Sequence, residues 1–362
     1  MTVAARIHVR SVVDSAALGH NLARVRALAP DSRVLAVIKA NAYGHGLVPV
    51  ARALAACDAF AVARLEEGLA LRDAGFRQRV LLLEGVRTAE QLAQAGQHEL
   101  DVMVHSLEQL ALLEARTGTV PLDAWLKLDT GMNRLGFRPE EFRPALERLR
   151  RIPGLGQPPR LVTHLAKADL RDDPMTATQL ELFASVTAGC PGERSIANTA
   201  GILAWPHARS DWARPGLMLY GLAPFGDGTG ADFGLRPAMS FESEVIAVRT
   251  VLPGESVGYC ATWRANRASR IAVVAAGYGD GYPRATATGA PVLVQARRAP
   301  LVGRVSMDML TVDVTDLPSV RPGDPVTLWG DGLPAEEVAR HAGAIPYELT
   351  CGVSQRVLHV VR

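Results

Sequence analysis

Two hydrophobic rhythms divide the chain. Over roughly the first two thirds, short apolar runs rich in β-branched residues alternate with stretches of helical period. A first helix is expected from about Ser15 to Leu28, where Leu18, Leu22, Val25 and Leu28 share one face. Apolar runs then recur at Val34–Ile38, Ala59–Ala63, Val80–Leu83, Leu100–Val104, Trp125–Leu128, Leu161–Leu165 and Ser195–Ala197, with a weaker one near Trp212–Ala213. Helical stretches such as Leu65–Ala74, Ser106–Ala115 and Met175–Ala188 separate most of them. That makes roughly eight strand–helix units, the number that closes a (β/α)8 barrel. After about Phe233 the helical period largely stops. Strand-like runs follow at Glu244–Val251, Arg270–Ala275, Pro291–Gln295, Leu310–Val314 and Pro325–Trp329, with Val353–Val361 closing the set. Pro253-Gly254, Arg321-Pro322-Gly323 and Asp331-Gly332 mark turns between them, and a single helical segment, Ala335–Ala342, interrupts them. The pattern predicts an α/β fold: an N-terminal (β/α)8 TIM barrel over residues 1–235 and a C-terminal mainly-β domain over residues 236–362.

Composition agrees with two domains and removes several functional classes. A chain of 362 residues exceeds what one hydrophobic core usually holds. With 48% hydrophobic and 21% charged residues it reads as globular, and a net charge of only +2 gives no footprint for nucleic acid. Cys57, Cys190, Cys260 and Cys351 are scattered without a C-x-x-C pair, so neither a metal site nor a disulfide framework is expected. Reduced thiols fit a cytoplasmic protein. The stretch Met1 to Arg10 has no apolar core of a secretory signal, and no apolar run is long enough to span a bilayer.

The chemistry concentrates where apolar runs end. In Ala36-Val-Ile-Lys39-Ala-Asn41-Ala-Tyr43-Gly44-His45-Gly46, a lysine closes a strand-like run. In a barrel that end is the active-site mouth, and partial desolvation there disfavours the ammonium and frees the amine for a Schiff base. A surface lysine capping a strand would look the same in isolation. The whole run, however, resembles the cofactor-lysine motif of bacterial alanine racemases, barrel-type enzymes dependent on pyridoxal 5'-phosphate (PLP), and the likeness extends over essentially the whole chain. The resemblance implies that Lys39 carries PLP and that Tyr43 touches its phosphate.

Other segments fall into the same family's order. Leu126-Lys127-Leu128-Asp129-Thr130-Gly131-Met132-Asn133-Arg134-Leu135-Gly136-Phe137 follows the fifth run. By resemblance, Arg134 binds near the PLP phenolic oxygen and the substrate carboxylate, and Lys127 is a candidate carbamylated lysine that buttresses it. Thr163-His164-Leu165-Ala166 places a histidine at a strand end. It reads as a satisfied structural residue by itself, and by resemblance as a group beneath the cofactor. In Ser195-Ile196-Ala197-Asn198-Thr199-Ala200-Gly201, the polar pair Asn198-Thr199 enters a short helical stretch; Thr199 suits a plain helix N-cap, and the same geometry equally offers backbone N–H groups and a hydroxyl to a phosphate. In Ala213-Arg214-Pro215-Gly216-Leu217-Met218-Leu219-Tyr220-Gly221, the match implies that Arg214 faces the pyridine nitrogen and Gly216 donates its amide to phosphate. An arginine there cannot readily pass a proton to that nitrogen, which leaves the ring largely neutral and suits a racemase.

The β-rich part supplies Ser256-Val257-Gly258-Tyr259-Cys260-Ala261-Thr262, Ala276-Gly277-Tyr278-Gly279-Asp280-Gly281-Tyr282-Pro283-Arg284 and Gly303-Arg304-Val305-Ser306-Met307-Asp308. Each could be a β-turn with a packed side chain. By resemblance, Tyr259 is the second catalytic base beside Lys39, and Tyr259, Tyr278, Met307 and Asp308 reach the PLP of a partner subunit in a homodimer with shared active sites. A tyrosine titrates near about 10, so Tyr259 needs nearby positive charge, for which His164 and Arg214 are the candidates. Gln355 stands where many members place a phosphate-contacting tyrosine. The expected activity is interconversion of L- and D-alanine, supplying D-alanine for peptidoglycan. A broader serine/alanine racemase, a non-catalytic PLP-buffering protein and a PLP decarboxylase or aldolase are the rival readings. PLP-buffering proteins lack a β-domain, and decarboxylases of this fold usually favour an acidic partner for the pyridine nitrogen where this chain has Arg214.

Overall fold

The computed structural model describes residues 9–116 and 121–362. Most of the stretch read for a targeting signal, Met1 to His8, lies outside the described residues. Eight parallel strands close the expected barrel: β2 (Arg33–Val37), β3 (Ala59–Val62), β4 (Arg79–Leu82), β5 (Asp101–Val104), β6 (Ala124–Lys127), β7 (Arg160–Val162), β8 (Arg194–Ser195) and β9 (Trp212–Ala213). Closure comes from β9 on β2, with Trp212 opposite Arg33 and Ala213 opposite Val34. Strands β3 and β5 are buried at every position, because helices cover the outer face while side chains fill the lumen. The helix Ser15–Leu28 follows its apolar face, burying Leu18, Leu22 and Val25, and Asp14 caps it by accepting from the Ala17 N–H at 3.0 Å. β8 and β9 hold only two residues each, which is why the last units gave the weakest pattern.

The N-terminal mouth of the barrel is closed by charge. Arg33, Arg79 and Arg160 alternate there with Asp101, Asp123 and Glu193. Arg79 pairs with both aspartates, and Arg33 pairs with Glu193. Arg160 bridges Asp123 (3.2 Å) and Glu193 (2.9 Å). Two buried indoles complete the acceptors' shells: Trp125 donates to Asp101 at 2.7 Å and Trp212 to Glu193 at 2.9 Å. Each carboxylate therefore meets both a cation and an N–H donor or a second cation.

The rest of the chain forms an eight-stranded sheet ordered β15-β14-β17-β10-β1-β18, with β13 and β16 extending from β10. Its members are β1 (Arg10–Val13), β10 (Met239–Val251), β13 (Ser269–Val274), β14 (Pro291–Val294), β15 (Arg297–Pro300), β16 (Leu310–Asp313), β17 (Pro325–Trp329) and β18 (Leu358–Val361). A small hairpin, β11 (Ser256–Val257) with β12 (Trp263–Arg264), stands apart and carries Tyr259 in its loop. Two departures from the sequence pattern follow from pairing. β10 begins at Met239 rather than Glu244, because Met239 to Glu242 pair antiparallel with β1. Strand β1 itself lies between β10 and β18, so the sheet takes a strand from the barrel's side of residue 235.

Candidate active site

Strand β2 delivers Lys39 to the C-terminal mouth, and the backbone then makes an abrupt turn. Ala40, Asn41, Ala42 and Tyr43 all lie in the left-handed region, with φ of 54°, 53°, 54° and 53°. Gly44 continues it at φ 81°, and a Cβ there would sit 2.0 Å from the Thr350 carbonyl oxygen, so only glycine lets the helix Pro346–Cys351 lie against the turn. The turn rotates Tyr43 inward. Its ring packs 4.7 Å from Tyr220 and 5.8 Å from Tyr347.

Tyr43 points its hydroxyl at Gly216. A Cβ on Gly216 would come within 2.6 Å of that oxygen, so only glycine lets the phenol approach this stretch of backbone. The Thr199 hydroxyl already accepts from the N–H groups of Gly216 (3.1 Å) and Met218 (3.4 Å). Asn198 caps the helix Thr199–Ala204 by accepting from Gly201 N–H at 3.0 Å, and its amide donates to the Leu165 carbonyl at 3.3 Å. A helix N-terminus, a loop amide, a threonine hydroxyl and a phenol thus converge, a donor set suited to phosphate.

Across the mouth lies a cluster of cations. Arg214 is 4% exposed yet meets only neutral acceptors: Ser195 Oγ (2.6 Å) and the carbonyls of Thr163 (2.5 Å) and Ile196 (3.1 Å). Burial pulls it down to about 10, so it remains a cation at neutral pH. It also donates to His164 Nδ1 at 3.4 Å. Burial, then Arg214, Lys127, Arg134 and Lys39, hold His164 well below its ordinary value. Burial and these neighbouring cations thus favour the neutral imidazole of His164. Lys127, at the end of β6, is pushed down to about 8 by burial first and by Arg214 and Arg134 next. Lys39 is lowered by burial and then Arg134, with Glu84 and Glu67 opposing. Arg134 is held on a loop that Asp129 orders by accepting from the N–H groups of Gly131 (2.9 Å) and Asn133 (3.1 Å). Among the described residues, no carboxylate comes within ion-pair distance of Lys39, Lys127, Arg134 or Arg214. Four cations without anions, beside a phosphate-shaped donor set, fit a dianionic phosphate, a phenolate and a carboxylate substrate. The residues present fit PLP.

The residues expected from the β-domain include exposed side chains. Tyr259 is 67% exposed, Met307 54% and Tyr278 39%. The loop holding Tyr278 is knitted to the one holding Met307, since Tyr278 N–H donates to Ser306 O (3.0 Å) and Gly279 N–H to Met307 O (2.8 Å). Asp308, expected to face substrate, pairs with Arg356 at 2.8 Å. Arg356 also grips the buried Asp280 through two bonds, at 2.7 and 2.9 Å. Gln355 is exposed. Tyr347, not singled out from sequence, is the C-terminal tyrosine that reaches Tyr43. Glu67 was also missed, although its place three residues after Arg64 at a helix start is a capping signal; it accepts from Arg64 N–H (3.2 Å), Ala63 N–H (2.9 Å) and Asn41 N–H (3.3 Å).

Comparison with known proteins finds matches along nearly the whole chain. Residues 13–224 match the alanine racemase N-terminal domain, and residues 238–361 match the alanine racemase C-terminal domain. Alanine racemase of Nitrosococcus oceani is 52% identical over 349 residues, covering 96% of this chain and 98% of that protein. The biosynthetic alanine racemase of Escherichia coli is 49% identical over 347 residues, covering 96% and 97%. The crystal structure of biosynthetic alanine racemase from Pseudomonas aeruginosa superposes with a TM-score of 0.96 at 48% identity, covering 99% of this chain and all of that one. The structure from Bartonella henselae, described with covalently bound pyridoxal phosphate, gives 0.88 at 28% identity, covering 99% and all of that chain. The chain belongs to the alanine racemase family, PLP-dependent isomerases that interconvert L- and D-alanine.

Proposed function

We propose that racemisation proceeds by two bases on opposite faces of Cα, Lys39 of one protomer and Tyr259 of the partner subunit. The observation that carries this reading is the cation cluster at Lys39, set against a tyrosine two-thirds exposed on a separate hairpin of the same chain. PLP, when bound, delocalises the electron pair left on Cα once its proton departs. Lys39 would hold it, with Tyr43, Asn198, Thr199 and the Gly216 amide around the phosphate. Arg214 would stand toward the pyridine nitrogen as a cation and would pass it no proton. Arg134 orients the substrate carboxylate. Lys39 Nζ takes or returns the Cα proton on one face, and the Tyr259 phenolic oxygen does so on the other. Positive charge from Arg214 and Arg134 favours the phenolate. His164, neutral, fixes Arg214 by accepting from it.

Lys127 supports a further part of this reading. An amine pushed down to about 8 is partly unprotonated near neutral pH. Its unprotonated nitrogen can attack carbon dioxide: an N–C bond forms as one C=O π pair moves onto oxygen, one N–H proton leaves to solvent, and the neutral amine becomes a carbamate anion facing Arg134.

We place the enzyme in the cytoplasm as a homodimer whose β-domains, with Tyr259, Tyr278, Met307 and Asp308, complete each other's sites, and whose D-alanine serves peptidoglycan. No helix among the described residues is long and apolar enough to cross a membrane. Mixing two inactive variants, Lys39→Ala and Tyr259→Phe, tests the shared site. A hybrid dimer then holds one site with both bases, so activity reappears on subunit exchange. A mixture that stays inactive after exchange, shown by tagged co-purification, rejects the arrangement. Tyr259→Phe alone should stop Cα-proton exchange from L-alanine; full activity in both directions rejects Tyr259 as a base.

A further inference from the structure

The left-handed turn after Lys39 has no glycine in its first four positions. Each residue with a Cβ costs roughly 1–2 kcal/mol in that conformation, so the surroundings must hold it. Asn41 and Glu67 hold one side: Leu47 N–H donates to Asn41 Oδ1 (2.8 Å), and Asn41 N–H donates to Glu67 (3.3 Å). Asn41 is exposed and Glu67 half-buried, so water competes there. The other side is held by His45, which is 2% exposed.

We propose that His45 is a positioning residue for Lys39: its Nδ1–H grips the carbonyl oxygens of Ala42 (3.1 Å) and Tyr43 (3.0 Å) and so fixes the turn that aims both Lys39 and the Tyr43 hydroxyl into the site. The inference rests on the reading of Lys39 as the residue that carries PLP. Both neighbours of Nδ1 are acceptors, so Nδ1 carries the proton. Burial pushes His45 down to about 4, so the ring is neutral. Its Nε2 is buried with no hydrogen-bond partner. A residue present for packing alone would be apolar and would bury no orphaned acceptor. The imidazole packs 4.5 Å from Tyr220, whose hydroxyl donates to Val37 O at 3.1 Å, at the end of the strand that delivers Lys39. The clamp therefore registers the turn against β2 and against Tyr43 together.

Three substitutions in the PLP-reconstituted protein separate clamping from packing. Asparagine puts an N–H where Nδ1 stands, glutamine where Nε2 stands, and leucine supplies none. His45→Leu and His45→Gln should each lower kcat about tenfold and weaken PLP retention by a similar factor, with KM for alanine within about twofold, because a displaced base loses alignment. His45→Asn should recover kcat to within about threefold of the parent. Equal impairment of Asn and Gln, or no effect of Leu, overturns the clamp. If His45→Leu fails to fold, the Asn–Gln difference still decides it. Thermal midpoints of the PLP-free proteins give a readout independent of turnover: Asn should melt above Gln, and the reverse order counts against the proposal. Borohydride trapping followed by peptide mapping guards the underlying reading. A label away from Lys39 in the parent overturns Lys39 as anchor, whereas a label on Lys39 with indifferent His45 variants overturns the clamp alone.

Discussion

The two ends of the barrel are built from similar residues and put to opposite use. At the N-terminal mouth Arg33, Arg79 and Arg160 are each met by Asp101, Asp123 or Glu193, and two indole N–H groups fill remaining lone pairs. At the C-terminal mouth Lys39, Lys127, Arg134 and Arg214 depress one another's proton affinity or that of His164, and among the described residues none is paired with a carboxylate. One end satisfies itself; the other is completed only by something anionic brought from outside. The contrast separates stability from function within a single lumen.

The sharpest way to break the contrast is to empty the upper end. Lys39→Ala should lower racemisation at least about 10³-fold. Its urea-unfolding free energy without PLP should stay within about 0.5 kcal/mol of the parent, since a desolvated cation contributes little to folding. A large loss of stability would mean the upper end also holds the barrel together. The matching change below is Asp101→Asn, which leaves Arg79 and the Trp125 indole facing a neutral amide. Stability should fall by about 3 kcal/mol with kcat/KM within about twofold. Lost turnover in a folded variant would erase the separation.

Smaller effects sharpen it further. Lys127→Met removes a buried, like-charged neighbour of Arg214 and Arg134, so the PLP-free protein should gain about 1 kcal/mol while substrate affinity falls. The pH dependence follows from sign. The folded state binds fewer protons than the unfolded state between about 8 and the ordinary lysine value, so from this group stability rises with pH through that window. Below it the penalty is fully present. In carbon-dioxide-free buffer, Lys127→Met should flatten the rise; an unchanged slope would assign it to another group.

Much of this was legible in the sequence, for a physical reason. A strand buried on both faces must be continuously apolar, so Val34–Ile38 and Ala59–Ala63 announced themselves, and a lysine ending such a run necessarily sits at a mouth. The two-residue strands β8 and β9 carry too little pattern to be read with the same ease. The left-handed turn was invisible because Ala40-Asn-Ala-Tyr43 contains no glycine; its conformation is imposed by His45, Asn41 and Glu67, contacts that no local propensity encodes. Glu67 and Tyr347 join the site through distant parts of the chain, and distance in sequence hides them. The neutral state of His164 depends on four cations drawn from different elements.

Strand β1 has a consequence for anyone wishing to divide the molecule. It lies between β10 and β18, so the sheet is stitched through its middle by residues that precede the barrel. A fragment stopping near residue 235 would present Arg10–Val13 with both hydrogen-bonding edges bare, an invitation to stick to its neighbours. A fragment starting at residue 236 would find a gap between β10 and Leu358–Val361 that nothing of its own can fill. During synthesis the barrel can close early, but its leading strand must wait for the last strand of the sheet to emerge before its register is sealed on both sides.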